Sequence, residues 1–227
     1  YKGAPSQEER LIFCGAQRAV SGEFMFKSLT CLILLSSLFQ GSVLAAEGFI
    51  IGNDDRERIL YSNNKITKKV GLLETEFDNG TYGECTGTLV AENLVLTAAH
   101  CLAAGDKRAE SVTFYPNIRN VESERIRSYY ASDIWINKNY YAETIRREAD
   151  DPISFAEIEN DMAVVVLDRQ TEQKAAGDRF GYESFAYRTN SNREYKAMTL
   201  GYPGDKEKDT LWRDDNCFSV PYNENVY

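Results

Sequence analysis

One histidine occurs in 227 residues, and it stands in Thr-Ala-Ala-His-Cys at positions 97–101. An imidazole can serve as a general base, a metal ligand or a hydrogen-bonded structural group, and its neighbours decide among them. Zinc wants three or four protein ligands, and no second histidine exists to join His100. Cys101 beside it suggests a thiol nucleophile with an adjacent base. Consecutive residues on an extended or helical segment point in different directions, however. A histidine base also needs a carboxylate to fix its tautomer and stabilise its charged form. The candidate is Asp161, where a polar loop enters the apolar run of "DMAVVVL". An aspartate there can equally cap a strand. Asp150 and Asp151 lie in the loop without such a strand and are poorer candidates.

The elements that would position these residues begin after an unusual leader. Met25-Phe26-Lys27 opens a short basic region, "SLTCLILLSSLFQ" follows as an apolar stretch, and "GSVLAAEG" offers small residues for cleavage after Ala45 or Ala46. That layout is a secretory signal peptide over residues 25–46. The apolar stretch falls short of the roughly 20 residues that a membrane helix needs. Residues 1–24 then read as an upstream extension or cloning leader, and residues 47–227 as the domain. No membrane association is expected once the leader is removed. The formal net charge of −9 argues against nucleic acid and against anionic membrane surfaces, both of which require a basic footprint.

Five cysteines are present. Cys14 and Cys31 fall in the leader segments, which leaves Cys85, Cys101 and Cys217. Export implies an oxidising compartment in which disulfides persist, and three cysteines leave one odd.

From Glu47 onward, short runs rich in Val, Thr, Tyr and Phe recur: "KVGLLETEF", "ECTGTLV", "NLVLTAA", "SVTFYPN", "DMAVVVL" and "YKAMTLGYP". Asp78-Asn79-Gly80 is a strong tight-turn signal between the first two, and Ala91-Glu92-Asn93 joins the next pair. Such closely spaced strands predict an all-β sandwich or pair of barrels. The polar, acidic stretch 140–160 reads as a surface loop with a helical turn near "AETIRRE". Gly201, Pro203 and Gly204 read as a tight turn between strands.

In "CTGTLVAENLVLTAAHC", Cys85 and Cys101 lie 16 residues apart on either side of a strand-turn-strand unit. That hairpin brings the two sulfurs together and holds His100 at its end. Here the sequence resembles the trypsin-like serine proteases, whose hallmark is a disulfide-bracketed hairpin ending in T-A-A-H-C. The resemblance implies two antiparallel β-barrels, His100 as general base, and a Cys85–Cys101 bridge. The family's D-[IM]-A-[VL] pattern matches Asp161-Met162-Ala163-Val164 in the expected chain order, which implies that Asp161 is the base's partner. "GYPGD", "IIGNDDRERI" and "VTFYPNIRN" further resemble the V8-like, glutamyl endopeptidase branch in patches from Phe49 to Trp212.

One part of the pattern is missing. The family's nucleophile is a serine in a G-x-S-G context, and none of the 15 glycines has a serine two residues later. Ser184 and Ser191 precede "GYPGD", and Ser219 in "NCFSVPYN" has neither a glycine nor a continuing strand. The resemblance places the serine beyond Tyr227 and pairs Cys217 with a cysteine there, so Cys217 is expected to be unpaired in these residues and the second barrel incomplete. The expected protein is an exported serine endopeptidase, secreted or periplasmic, monomeric, and acting on protein or peptide substrates without a cofactor. The 227 residues alone would lack activity. The alternative is a non-catalytic relative that binds or regulates, and a purely structural exported β-protein fits the matched spacing poorly.

Overall fold

Alternating apolar runs separated by tight turns fold into antiparallel strands, as the sequence pattern predicts. The computed structural model describes residues 10–14, 54–60, 64–118, 127–147, 151–169, 174–184 and 195–221. Residues 25–46, read from the sequence as a signal peptide, lie outside them. The strands in chain order are β1 (Arg10–Cys14), β2 (Glu57–Arg58), β3 (Val70–Phe77), β4 (Tyr82–Leu89), β5 (Leu94–Thr97), β6 (Ala103–Ala104), β7 (Lys107–Pro116), β8 (Tyr129–Ile136), β9 (Ala163–Leu167), β10 (Tyr195–Gly201) and β11 (Trp212–Pro221). Three short helices accompany them: α1 (Lys138–Arg146), α2 (Phe155–Glu159) and α3 (Ala176–Phe180).

Strands β3, β4, β5, β9, β8 and β7 pair in that order, and β3 also pairs β7, so the sheet closes into a barrel. Closure removes free strand edges. Period-2 alternation turns Val95 and Thr97 of β5, and Ala163, Val165 and Leu167 of β9, into the interior. There they meet Leu73, Leu89, Leu102 and Phe114, each fully buried. The barrel is tightly filled. A Cβ at Gly87 of β4 would come within 2.6 Å of the Val95 side chain and 2.9 Å of the Leu73 side chain, so any larger residue there would displace the core. The Asp78-Asn79-Gly80 turn forms where it is predicted, with Gly80 at φ +77° and its amide donating to the Phe77 carbonyl at 2.8 Å.

The second sheet has the order β1-β11-β10, with β2 on β11. Among the described residues it does not close. Val70, Leu72, Ile118, Tyr202 and Leu211 form the apolar layer between it and the barrel. Two hydrogen bonds knit the bodies together there. The Tyr202 amide donates to Thr86 Oγ1 at 2.8 Å, and the Tyr202 hydroxyl donates to the Ile118 carbonyl at 2.8 Å. The Gly201–Gly204 turn that precedes β11 is further held by Arg56, which donates to Asp54 and Asp205.

Four elements depart from the sequence reading. Strand β8 went unrecognised because Ser132-Asp133 interrupts its apolar alternation. The Asp133 carboxylate accepts from the Ile134 amide and the Trp135 indole, each at 2.8 Å, beside a register irregularity between Ala131 and Asp133. The stretch 140–160 is not one loop, because α1 and α2 both form in it. Ser219 does lie in a continuing strand, β11. Finally, Cys217 is not an unpaired thiol: it is disulfide-bonded. The expectation counted cysteines over residues 47–227 alone, and that count left Cys217 odd.

Candidate active site

Strand β5 ends at Thr97 and pairs with β9 so that Thr97 faces Ala163. The chain after Thr97 turns through a single 3-10 turn, Ala99–Cys101, in which the Cys101 amide donates to the Ala98 carbonyl at 3.3 Å and the Leu102 amide to Ala99 at 2.9 Å. Ala99, Cys101 and Leu102 are buried. The turn thus puts its apolar residues into the core and leaves the His100 side chain 60% exposed. Cys101 is bridged to Cys85 of β4, with the sulfurs 2.03 Å apart. The bridge fixes the residue immediately after His100 to the neighbouring strand, as the hairpin reading requires.

Asp161 arrives from the other side. Ser154 caps α2 reciprocally: its hydroxyl accepts from the Glu157 amide at 3.1 Å, and the Glu157 carboxylate accepts from the Ser154 amide at 2.9 Å. Glu157 is buried and also takes a hydrogen bond from Arg147 at 3.0 Å. The helix ends at Glu159 with Asn160 as its C-cap, and β9 begins at Ala163, so that only Asp161 and Met162 intervene.

The Asp161 carboxylate meets His100 at both ends. Its Oδ2 lies 2.7 Å from the imidazole Nδ1, and its Oδ1 accepts from the His100 backbone amide at 2.8 Å. An ionised carboxylate can only accept, so Nδ1 carries the proton and Nε2 holds the lone pair. Among the described residues nothing hydrogen-bonds to Nε2. The hydrogen bond from Asp161 raises the His100 pKa above its ordinary value, against the opposing effect of burial. Burial pushes Asp161 upward, but the His100 ring, the His100 amide and the Ala99 amide together outweigh it, so its pKa is lowered. The arrangement is an imidazole base poised in one tautomer.

The ligand atoms of Cys85, His100 and Cys101 lie within 4.8 Å of one another. The bridge consumes both thiolates, so one imidazole is all that this cluster offers a metal. Of the other residues weighed from sequence, Asp151 and Ser184 are exposed and make no described bond to His100, while Asp150 and Ser191 lie outside the described residues. Of the helices that precede Asp161, α1 was foreseen only as a helical turn near "AETIRRE" and α2 was missed. Ser154-Phe155-Ala156-Glu157 is the S-x-x-E pattern that marks a helix start, and Asn137 ahead of α1 is a favourable N-cap.

With this geometry in view, the comparisons with known proteins are specific. A family model described as Trypsin matches residues 74–216, more than half of the chain. Glutamyl endopeptidase of Bacillus licheniformis is 23% identical over 177 residues, covering 75% of this chain and 47% of that protein. Glutamyl endopeptidase of Staphylococcus aureus strain MW2 is 23% identical over 163 residues, covering 72% of this chain and 44% of its own length. The chain thus spans about half the length of the curated relatives it matches. Among solved structures, a thermostable serine protease, AL20, from an extremophilic microorganism superposes with a TM-score of 0.50 at 21% identity. The match covers 66% of this chain and 65% of that one.

Proposed function

We propose that this chain, which belongs to the trypsin family of serine proteases, supplies the His100–Asp161 half of the catalytic triad of an exported, V8-like endopeptidase. The observation that carries the reading is the double hydrogen bond from one Asp161 carboxylate to the ring and backbone of His100. Support for the V8-like branch comes from the glutamyl endopeptidases among its relatives. The domain would occupy residues 47–227, after a signal peptide at 25–46, and the protein would be secreted or periplasmic. Its substrates would be proteins or peptides.

In this mechanism His100 Nε2 takes the proton of a serine hydroxyl as that oxygen attacks the peptide carbonyl, then returns it to the leaving amine. Asp161 stays ionised, holds the Nδ1–H tautomer and stabilises the imidazolium. Proton transfer of this kind accelerates the reaction by about 10²–10⁴-fold. None of the 15 glycines among the 227 residues has a serine two positions on, so the family's G-x-S-G pattern does not occur in them. The nucleophile is proposed to follow Tyr227, and residues 1–227 alone are expected to be inactive.

The test begins with the source gene past the Tyr227 codon, where a G-x-S-G sequence in frame is expected. The full-length product should then cleave peptides, and His100→Ala should abolish cleavage. Covalent labelling of residues 1–227 by a serine-directed probe, or full activity in the His100→Ala protein, would overturn the proposal.

A further inference from the structure

Asp161 is held by more than its own contacts with His100. The residues on either side of it are both tied to Asn137, the N-cap of α1. The Asn137 side-chain amide donates to Asn160 Oδ1 at 3.2 Å, and the Asn137 backbone amide donates to the Met162 carbonyl at 3.1 Å. Asn139 Nδ2 donates to the same Asn160 oxygen at 3.3 Å. Asn160 Nδ2 in turn donates to the Ala156 carbonyl of α2 at 2.8 Å. The Met162 amide closes a tight turn onto the Asn160 carbonyl at 2.7 Å, with Asp161 at its centre.

We infer that Asn160, clamped by Asn137 and Asn139, is a positioning residue that aims the Asp161 carboxylate at His100. The inference rests on the reading of His100 and Asp161 as a catalytic pair. The physical reason is geometric. A carboxylate that must accept from two donors of one residue tolerates little rotation of its own backbone, because hydrogen bonds weaken steeply off line. Asp161 follows a five-residue helix, α2, which is too short to hold direction by itself. The three asparagines transfer the direction of the longer α1 to the Asp161 peptide. A single side chain, Asn160, bonds both helices at once.

The test uses His100 as its own reporter, since it is the single histidine among the 227 residues. Among the described residues, the charged and titratable groups coupled to the pair are Tyr140 of α1, which interacts electrostatically with Asp161, and the Arg147–Glu157 ion pair, which interacts with Tyr140. The asparagines carry no charge, so substituting them changes His100 only through geometry. Asn160→Ala deletes the hub. Asn137→Ser keeps a cap for α1 but removes the donor to Asn160. The His100 pKa of each variant is measured by NMR titration of the full-length protein, with the His100 signals assigned by their loss in His100→Ala, beside Asp161→Asn and a thermal melt.

The expected result is a downward shift of the His100 pKa in Asn160→Ala and a smaller one in Asn137→Ser, both toward the Asp161→Asn value. A fall in melting temperature with an unmoved His100 pKa in the folded variants would overturn the inference and leave Asn160 a helix cap only. If Asp161→Asn itself leaves the His100 pKa unchanged, the pairing fails and the inference fails with it. Should Asn160→Ala not fold, Asn137→Ser decides alone.

Discussion

Asp161 bonds His100 twice, with one oxygen 2.7 Å from the ring Nδ1 and the other 2.8 Å from the backbone nitrogen of the same residue. The ring contact sets the tautomer and raises the imidazole pKa. The backbone contact sets where the ring begins. A carboxylate with only the first bond could follow the ring as it moved, whereas a carboxylate with both holds residue and ring in one frame.

Replacing Asp161 with Asn removes the charge while nearly preserving shape. On the proposed function, the peptidase activity of the full-length protein should fall by about 10⁴-fold in kcat, because an amide can stabilise the wrong tautomer. In wild type, activity should be lost as pH falls through the raised His100 pKa, since a protonated imidazole cannot act as a base. Steady-state kinetics against pH, with the acidic limb moved to lower pH in the variant, checks both statements.

The pair should also stabilise the fold in a defined window. The folded-state pKa of His100 lies above its ordinary 6.5, so its contribution is complete below that value and is lost as pH rises through the raised one. That of Asp161 lies below 3.8, so its contribution is complete above 3.8 and is lost as pH falls through the lowered value. The difference in urea midpoint between wild type and His100→Ala should therefore peak between the two ordinary values and shrink on both sides. The ring is 60% exposed, and solvent screening should keep the difference under about 1 kcal/mol. A gap independent of pH would contradict this account.

Cys85 and Cys101 close a loop with a sequence separation of 16. Replacing both with Ser should cost about 3 kcal/mol by loop-closure entropy, read as a lower denaturant midpoint. Adding a reductant to the wild type should reproduce much of the loss, and should leave the double variant unaffected in that loop.

Arg147→Ala should destabilise through Glu157, whose side chain is only 3% exposed. Removing one partner of a buried pair typically costs 3–5 kcal/mol. The Ser154 amide still bonds this carboxylate, so a loss of about 3 kcal/mol is expected. Substituting both residues with apolar ones of similar size should recover most of it, which thermal melts of the single and double variants can measure.

The hairpin that carries His100 was legible because its pieces are local. Strand-forming runs, a turn at Ala91–Asn93 and two cysteines at matching ends all lie within 17 residues of sequence. Asp161 was legible through the resemblance of Asp161-Met162-Ala163-Val164 to the family's pattern, because an acidic residue at the mouth of an apolar strand can by itself equally be a cap. The asparagine clamp was not, because its members are separated by 21 and 23 residues and each alone looks like an ordinary polar surface residue. Strand β8 was hidden by Asp133, whose side chain satisfies its own neighbours locally. Cys217 shows the opposite failure: arithmetic over the expected mature residues left it odd, and the fold pairs it. Local spacing identifies a motif, whereas partners contributed by distant segments appear only once the chain is folded.

Strand β9 is the last of the six barrel strands to be synthesised, and its pairing with β5 brings Asp161 to His100 across 61 residues of chain. A nascent chain that ends before β9 can already hold the His100 hairpin and its bridge. It cannot hold the carboxylate, so its imidazole is an ordinary one. Long-range strand pairing is slow compared with hairpin formation. The His100–Asp161 pair therefore forms with the closing of the barrel and is absent from every partly folded precursor.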